Sequence, residues 1–403
     1  MTRFTPGAKT RNIADFLGLR RNILVLLGAL VFALTGERLW LGFAPKYLET
    51  LGAGVFLIGL FDALQTLLGA IYAYPGAWLT DRLGQRKSLL VFSAVSIAGY
   101  GIVYLWPSRF ALLIGAFFFS AWSSLSLPAT FSIVASELRK EQHTMGIGVQ
   151  SLIRRVPMML GPLIGGWLIM RWGWSQGVHI ALLACIALAA MTFVLQLLMH
   201  QDVPVLSPVA ERDRSFTDVF RAFPRPLKEL LLSDILIRFG ERIPYAFVIL
   251  WAVNGNGISA QGFGVLTAIE MATAAICYIP VAHLADKYGR QPFVLATFVF
   301  FTLFPISLLF AHSFTALALA FAIRGLKEFG EPARKALIIS YAPPSLQSKA
   351  YGVYYLIRDG VVTLGSFVGA ALWAYSPQAN FLGAAVCGLS GTIWFYFFIF
   401  RRK

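Results

Sequence analysis

TGERLW, Thr35 to Trp40, returns 204 positions later as FGERIP, Phe239 to Pro244, and the match extends well beyond these six residues. At an offset of 205, Gly59, Pro75, Asp81 and Gly84 fall on Gly264, Pro280, Asp286 and Gly289. At 204 again, Pro128-Ala129 falls on Pro332-Ala333, Gly148 on Gly352, Arg154 on Arg358, and Gly161 and Gly165 on Gly365 and Gly369. Composition alone does not place glycine, proline and charge in register across 200 residues. The chain is two copies of one unit.

What that unit is follows from its solvent. The 403 residues are 58% hydrophobic and 13% charged, with a mean hydropathy of +0.70, whereas soluble domains carry roughly 25% charged residues. A soluble enzyme is excluded first. Apolar runs of about 20 residues, each long enough to cross a bilayer as a helix, are expected to start near Asn22, Gly54, Ser88, Phe110, Met145, Gln176, Glu229, Ser259, Gln291, Phe314, Ser348 and Asn380. These are twelve spans, six per copy. An even number keeps both copies in one orientation, so the repeats are parallel and their seam near the bilayer midplane is the natural binding place.

With the N-terminus cytoplasmic, 21 of the 34 lysines and arginines fall in loops on that side, and only Lys46, Arg109 and Arg171 in loops opposite. The positive-inside rule therefore puts both termini in the cytoplasm. The net charge of +15 is thus mostly topology, and no nucleic-acid partner is expected. The expected fold class is an all-α membrane protein with twelve transmembrane helices in two parallel six-helix bundles.

The domains are read as a cytoplasmic leader over residues 1–21, a first bundle over 22–200, a linker over 201–228 and a second bundle with a short basic tail over 229–403. The leader has a long basic segment and no small-residue cleavage site, so it does not read as a secretory signal. The linker holds Pro204, Pro208, Pro224 and Pro226 beside Arg212, Asp213 and Arg214. Cys185, Cys277 and Cys387 and the five histidines are scattered without ligand spacing, so neither a metal nor a cofactor is expected. No nucleophile, base and orienting group cluster at readable spacing, and an enzyme is not expected.

The loop after span two, GAWLTDRLGQRK from Gly76 to Lys87, resembles the Gly-x-x-x-Asp-Arg-x-Gly-Arg-Arg signature of the major facilitator superfamily of secondary transporters. Asp81, Arg82, Gly84 and Arg86 match it in kind, Ala77 stands where the leading glycine belongs, and Gln85 intrudes. The second copy, AHLADKYGRQ, keeps Asp286, Lys287, Gly289 and Arg290. The resemblance spans all twelve runs and implies that these eight residues latch the cytoplasmic side during alternating access. A carboxylate beside a tight glycine turn suits that role, because it can pair with a basic group or a helix N-terminus in one conformation and release it in another. Gly161-Pro162-Leu163-Ile164-Gly165-Gly166 is similar to a Gly-Pro motif of the family's antiporters, with Pro157 where that motif begins with glycine.

At least ten basic and seven acidic residues fall inside the spans. At ~3 kcal/mol each, exposing all of them to lipid would cost on the order of 50 kcal/mol, so they must face a protein interior or a wet cavity and pair there. Span ten is densest. In FAIRGLKEFGEPARKAL, Phe321 to Leu337, a continuous helix pairs Arg324 with Glu328, Lys327 with Glu331, and Glu331 with Arg334 and Lys335, a ladder along one face with a surplus of +2. Its counterpart in the first copy, SAWSSLSLPATF from Ser120 to Phe131, is uncharged.

The resemblance puts spans one, four, seven and ten around the central cavity. It makes Arg38, Arg242, Arg324, Lys327, Glu328, Glu331, Trp122, Arg154 and Arg358 candidates for substrate binding. Glu37 and Glu241, then Asp62 and Glu270, are candidates for proton coupling, since a carboxylate at such a depth can exchange a proton as its surroundings change. Arg154 and Arg358 line the cavity or partner Asp62 and Glu270. Trp251 and Trp373 are expected as interfacial anchors.

The function expected is alternating-access transport of a small organic solute, coupled to protons, favouring an anionic or zwitterionic substrate and export. It is carried out by a monomer in the plasma (inner) membrane. The alternatives are a proton antiporter for cationic or amphipathic drugs and a membrane scaffold or sensor without transport.

Overall fold

A computed structural model describes residues 21–137, 143–199 and 216–401, and all statements of structure concern these; the leader through Arg20 and residues 201–215 of the linker lie outside them. In the first half of the chain the helices are α1 (Arg21–Trp40), α2 (Ala44–Thr50), α3 (Val55–Ile71), α4 (Ala73–Leu83), α5 (Gln85–Leu105), α6 (Arg109–Glu137) and α7 (His143–Leu197). In the second they are α8 (Phe216–Arg221), α9 (Arg225–Tyr245), α10 (Val248–Leu250), a π-helical turn (Trp251–Gly255), α11 (Ala260–Tyr288), α12 (Gln291–Phe310), α13 (Phe314–Leu326), α14 (Glu331–Tyr341), α15 (Gln347–Tyr375) and α16 (Pro377–Phe395), closed by a π-helical turn (Tyr396–Phe400).

Seven helical stretches among the described residues are long and apolar enough to cross a membrane, and Val55–Ile71 and Arg109–Ser124 are apolar but shorter. One of the seven, Ile153–Leu197, bends at Gly173, whose φ of 80° and ψ of 170° are not helical. There the chain folds back until Gly177 rests on Leu168 and Ile169. Each of the twelve expected starts lies within four residues of a helix start or of this bend. The largest difference is at span seven, where helix reaches back to Arg225 because Pro226 occupies the first turn, the one place in a helix where its missing N–H is not needed.

Local chemistry sets where the elements begin. At the end of the molecule away from the termini, Ser108, Ser259, Ser313 and Ser376 each accept the backbone N–H three residues on, at 3.0–3.2 Å, and so start α6, α11, α13 and α16. At the end nearer the termini, α4 and α11 both stop at a glycine with positive φ, Gly84 at 81° and Gly289 at 90°. Only glycine takes that conformation without strain, which accounts for its place in both copies of the loop motif.

The apolar core has a telling layout. One buried cluster unites both halves at the far end, with Trp40, Phe43 and Phe61 from the first and Phe247, Phe263 and Phe321 from the second. Toward the end that carries the termini the core divides in two. Leu26, Leu30 and Phe92 belong to a cluster of the first half alone, and Leu230, Phe298 and Phe395 to one of the second half alone. Across the seam α3 packs on α15 and α11 on α7. Large apolar side chains such as Phe56, Ile276, Phe310, Leu319 and Val386 are exposed on the outside, as a lipid-facing surface requires.

Candidate functional site

Between the two halves lies a cavity of ≈ 660 Å³, walled by α1, α3 and α7 of the first half and α9, α11, α13 and α15 of the second. Its floor, at the far end, is apolar: Leu41, Phe43, Phe61, Val248, Ile249 and Phe263. Above the floor the wall carries six bases, Arg38, Arg238, Arg242, Arg324, Lys327 and Arg358, and six acids, Glu37, Asp62, Glu241, Glu270, Glu328 and Asp359. The +2 surplus of span ten is therefore answered by acids of other helices. The cavity offers an apolar end and a polar belt of zero net formal charge.

Span ten is not the continuous helix expected. α13 stops at Leu326 and α14 starts at Glu331. The interruption has visible causes. Gly330 lies so close to α12 that a Cβ there would sit 2.3 Å from the Phe293 carbonyl oxygen. Its N–H donates to Thr297 Oγ1 at 2.6 Å, and Pro332 fills the first turn of α14. The expected pairs Arg324–Glu328 and Lys327–Glu331 consequently do not form.

Lys327 instead reaches Glu241 at 2.7 Å and Glu270 at 3.5 Å, Arg324 reaches Glu270 at 3.3 Å, and Glu328 meets Arg155 of the first half at 3.6 Å. Within α14 the expected pairs hold, with Glu331 to Arg334 at 2.6 Å and to Lys335 at 3.7 Å. Lys327 thus sits at the negative end of one half-helix and Glu331 in the first turn of the next, each where the helix dipole favours its charge.

Glu331 faces away from the cavity into a second network that the charge reading missed. Its hub is Asp234, completely buried. Asp234 takes Arg334 in an ion pair, accepts from Tyr354 Oη at 3.1 Å and lies 3.5 Å from Arg358. Arg238 joins this network to the cavity, holding Glu331 at 2.8 Å and Glu241 at 2.9 Å. Asp234 lies four residues before Arg238 on one helix; that i,i+4 spacing was the available signal.

The first half carries the same carboxylate without a base in contact with it. Glu37 occupies the position of Glu241, 204 residues earlier, and is buried to 7% exposure. The residue matching Lys327 is Ser123 and the one matching Arg238 is Leu34. The polar groups around Glu37 are Arg38, Ser123 and Arg154, and it makes no ion pair within 4 Å with any described residue. Behind it a void of ≈ 10 Å³, bordered by Ser93, Ser96, Tyr100, Trp122 and Thr192, has the size of one water.

Trp122 and Arg154 are accordingly not on the wall of the main cavity. Trp122 is buried and its backbone N–H donates to Ser96 Oγ at 2.8 Å. Arg154 and Arg358 also do not partner Asp62 and Glu270. Arg358 lines the cavity and binds Asp359 at 2.7 Å. Asp62 is held from across the seam, by Arg242 at 2.9 Å and by Ser366 Oγ at 2.6 Å.

At the far mouth, Asn254 of the π-turn donates to both carboxylate oxygens of Glu49, at 2.9 and 3.1 Å, and accepts from Lys46 Nζ at 2.5 Å, while Lys46 and Glu49 pair on α2. This clasp joins the two halves. Trp251 is buried beneath it, edge-on to Phe381 at 5.5 Å, and Trp373 stacks on Phe247 at 5.1 Å. Trp251 packs into the protein rather than anchoring at an interface, while Trp373 on α15 is half-buried.

At the opposite end, Arg86 donates to the Leu197 carbonyl at 2.6 Å, Arg82 lies over Trp78 at 4.2 Å and Lys287 over Tyr288 at 5.3 Å, while Arg290 is exposed beside the Gly289 turn. The side chains of Asp81 and Asp286 are outside the described set.

Two repeated halves around a seam cavity find their counterpart among known proteins. The sequence profile of the Major Facilitator Superfamily matches residues 25–239 and again 230–403. The chain belongs to that superfamily. It is a multi-pass membrane transporter, with a small molecule as cargo. The multidrug resistance protein MdtG of Klebsiella pneumoniae is 23% identical over 376 residues, 87% of each chain. MdtG of Escherichia fergusonii is 24% identical over 408 residues, 96% of this chain and 97% of its own. The crystal structure of the nucleoside transporter NupG superposes with a TM-score of 0.73 at 16% identity, over 96% of this chain and all of that one, a likeness of fold.

Proposed function

We propose that this transporter is a proton-coupled exporter of amphipathic organic solutes, working by alternating access of the seam cavity. The observation that carries the reading is the cavity itself: an apolar floor beneath a charged belt suits a molecule with a greasy body and a polar head. In this reading all twelve spans cross the bilayer, both termini are cytoplasmic and the two halves are the six-helix bundles over 22–200 and 229–403. The undivided core and the clasp then lie on the outer side, so the conformation described is open inward. The relatives named multidrug resistance proteins and the Gly161–Gly166 motif support export, from the plasma membrane.

Proton coupling is assigned to Glu37 ahead of Glu241, Asp62 and Glu270. The last three are each held by one or two bases of the wall, and releasing them would leave buried charges unpaired. Glu37 can gain or lose a proton without breaking an ion pair, and it borders both the cavity and the water-sized void. Arg82, Arg86, Lys287 and Arg290, with Asp81 and Asp286, form the inner latch when the cavity closes on that side.

The test is efflux from proteoliposomes under an imposed pH gradient, using a panel of amphipathic anions, zwitterions and cations. Gradient-driven transport in the parent and its loss in Glu37→Gln, with solute exchange retained, is the expected result. Gradient-driven transport that survives Glu37→Gln would overturn the assignment, and absence of transport of any panel member would favour a scaffold or sensor.

A further inference from the structure

The two seams of the molecule are copies of one interface, and the copies differ in charge at three places: Asp62 against Thr267, Gln65 against Glu270, and Asp359 against Arg155. Glu270 and Arg155 have partners, Arg324 with Lys327 and Glu328, so the first place is the one that leaves a base of the wall without its acid. In the first, Gly59 of α3 meets α15, and a Cβ on it would lie 2.9 Å from the Ser366 carbonyl oxygen. In the second, Gly264 of α11 meets α7, and its Cβ would lie 2.3 Å from the carbonyl oxygen of Pro162, the residue matching Ser366. The same registry holds inside each half. Gly365 faces Arg242 Cβ as Gly161 faces Arg38 Cβ, and one turn on Gly369 abuts the Ile243 carbonyl as Gly165 abuts that of Leu39. Arg38 and Arg242 therefore stand at equivalent places on the cavity wall.

Their surroundings are not equivalent. Arg242 Nη2 bonds the Asp62 carboxylate at 2.9 Å and the Asp62 backbone carbonyl at 3.1 Å. At the offset of 205 that relates α3 to α11, the residue matching Asp62 is Thr267, whose hydroxyl donates to the Phe263 carbonyl of its own helix at 3.0 Å. Arg38 is thus left without its carboxylate. It makes no ion pair within 4 Å with any described residue; the Nε of both arginines is buried with no hydrogen-bond partner, so what separates the two copies is the carboxylate that Arg242 has and Arg38 lacks. Glu37, next to it in sequence, acts on Arg38 through space but does not close to within 4 Å of it, so it does not take the contact that Asp62 makes with Arg242. Both Arg38 and Thr267 line the cavity, close to the floor residues Phe43 and Phe263.

We propose that Arg38 anchors an anionic group of the solute, a carboxylate seated beside Thr267 where the other seam holds the carboxylate of Asp62. The apolar body of the solute then lies on Phe43 and Phe263, whose rings are 5.9 Å apart. The solute supplies from outside the charge that the first seam builds in. This rests on the reading of the chain as a transporter of amphipaths and narrows it to those carrying an acid.

The experiment is equilibrium dialysis of the full-length protein in nanodiscs against a matched set with one tail and three heads: 4-phenylbutyrate, 4-phenylbutylammonium and 4-phenylbutanol. Phenylbutyrate is expected to bind tightest. Arg38→Ala, and separately Thr267→Asp, which restores the missing carboxylate, each weaken its binding about tenfold or more. Thr267→Asp removes nothing from the wall and so keeps the test decisive if Arg38→Ala misfolds. Equal binding of acid and alcohol, preference for the ammonium, or unchanged phenylbutyrate binding in Thr267→Asp would each overturn the proposal. Because binding is read without transport, any of these outcomes with proton-driven efflux intact rejects the anion site alone.

Discussion

Glu37 and Glu241 show how much a residue's meaning depends on residues far from it in sequence. They are identical in type and local context, and what separates them is Ser123 against Lys327 and Leu34 against Arg238. The substitutions Glu37→Gln and Glu241→Gln should accordingly part company. Removing Glu241 takes one partner each from Lys327 and Arg238, leaving them Glu270 and Glu331, and should cost about 1.5–3 kcal/mol, seen as a lower midpoint in thermal unfolding of the purified protein. Removing Glu37 breaks no ion pair and should leave that midpoint nearly unchanged while abolishing proton-driven efflux. Asp62→Asn should also lower the midpoint, by a similar amount, with the charge-reversed pair Asp62→Arg and Arg242→Asp recovering part of it. The candidate residues were legible from charge inside apolar runs; which of them are held was not, since an i,i+4 count sees one helix and these partners come from three.

At the scale of the element, span ten is where a sequence pattern and the chain's own packing conflict. Its charges are spaced for a helical ladder, and Gly325, Gly330 and Pro332 stood in plain view as interruptions. Whether glycine breaks a helix depends on what waits to take its N–H and how near a neighbour comes. Here Thr297 and the Phe293 carbonyl on α12 decide it. Gly330→Ala should therefore force α12 and α14 apart at a cost of about 1–3 kcal/mol, and Thr297→Val, which leaves the Gly330 N–H unpaired, about 1–3 kcal/mol. Both are read by thermal unfolding, and unchanged midpoints would mean that the half-helices are not locked in this way. The loop motif is the opposite case. Gly84 and Gly289 were read from sequence as tight turns, and the backbone requires glycine at both.

For the whole molecule, the repeat and the helix starts were legible because both rest on long, strongly patterned stretches. Which end of the seam is shut was not, because closure rests on single side chains such as Asn254 meeting across 200 residues. Asn254→Ala should loosen the far mouth. Gly42, whose position has open space around it, can carry a reporter cysteine, and its labelling by an impermeant maleimide from outside should rise several-fold in Gly42→Cys/Asn254→Ala over Gly42→Cys alone; equal labelling would show that the clasp does not gate access. Lys46 and Glu49 sit on the same short helix and stay paired when Asn254 withdraws. Parting this mouth separates a neutral amide from an ion pair, so no net charge is displaced through the membrane field. A full elementary charge crossing 100 mV is worth about 2.3 kcal/mol, and this step moves none. Release of the clasp should thus be electrically silent, with whatever voltage dependence the cycle shows entering through the charged contacts deeper in the seam, Asp62 with Arg242 and Glu328 with Arg155, and through the proton and the solute.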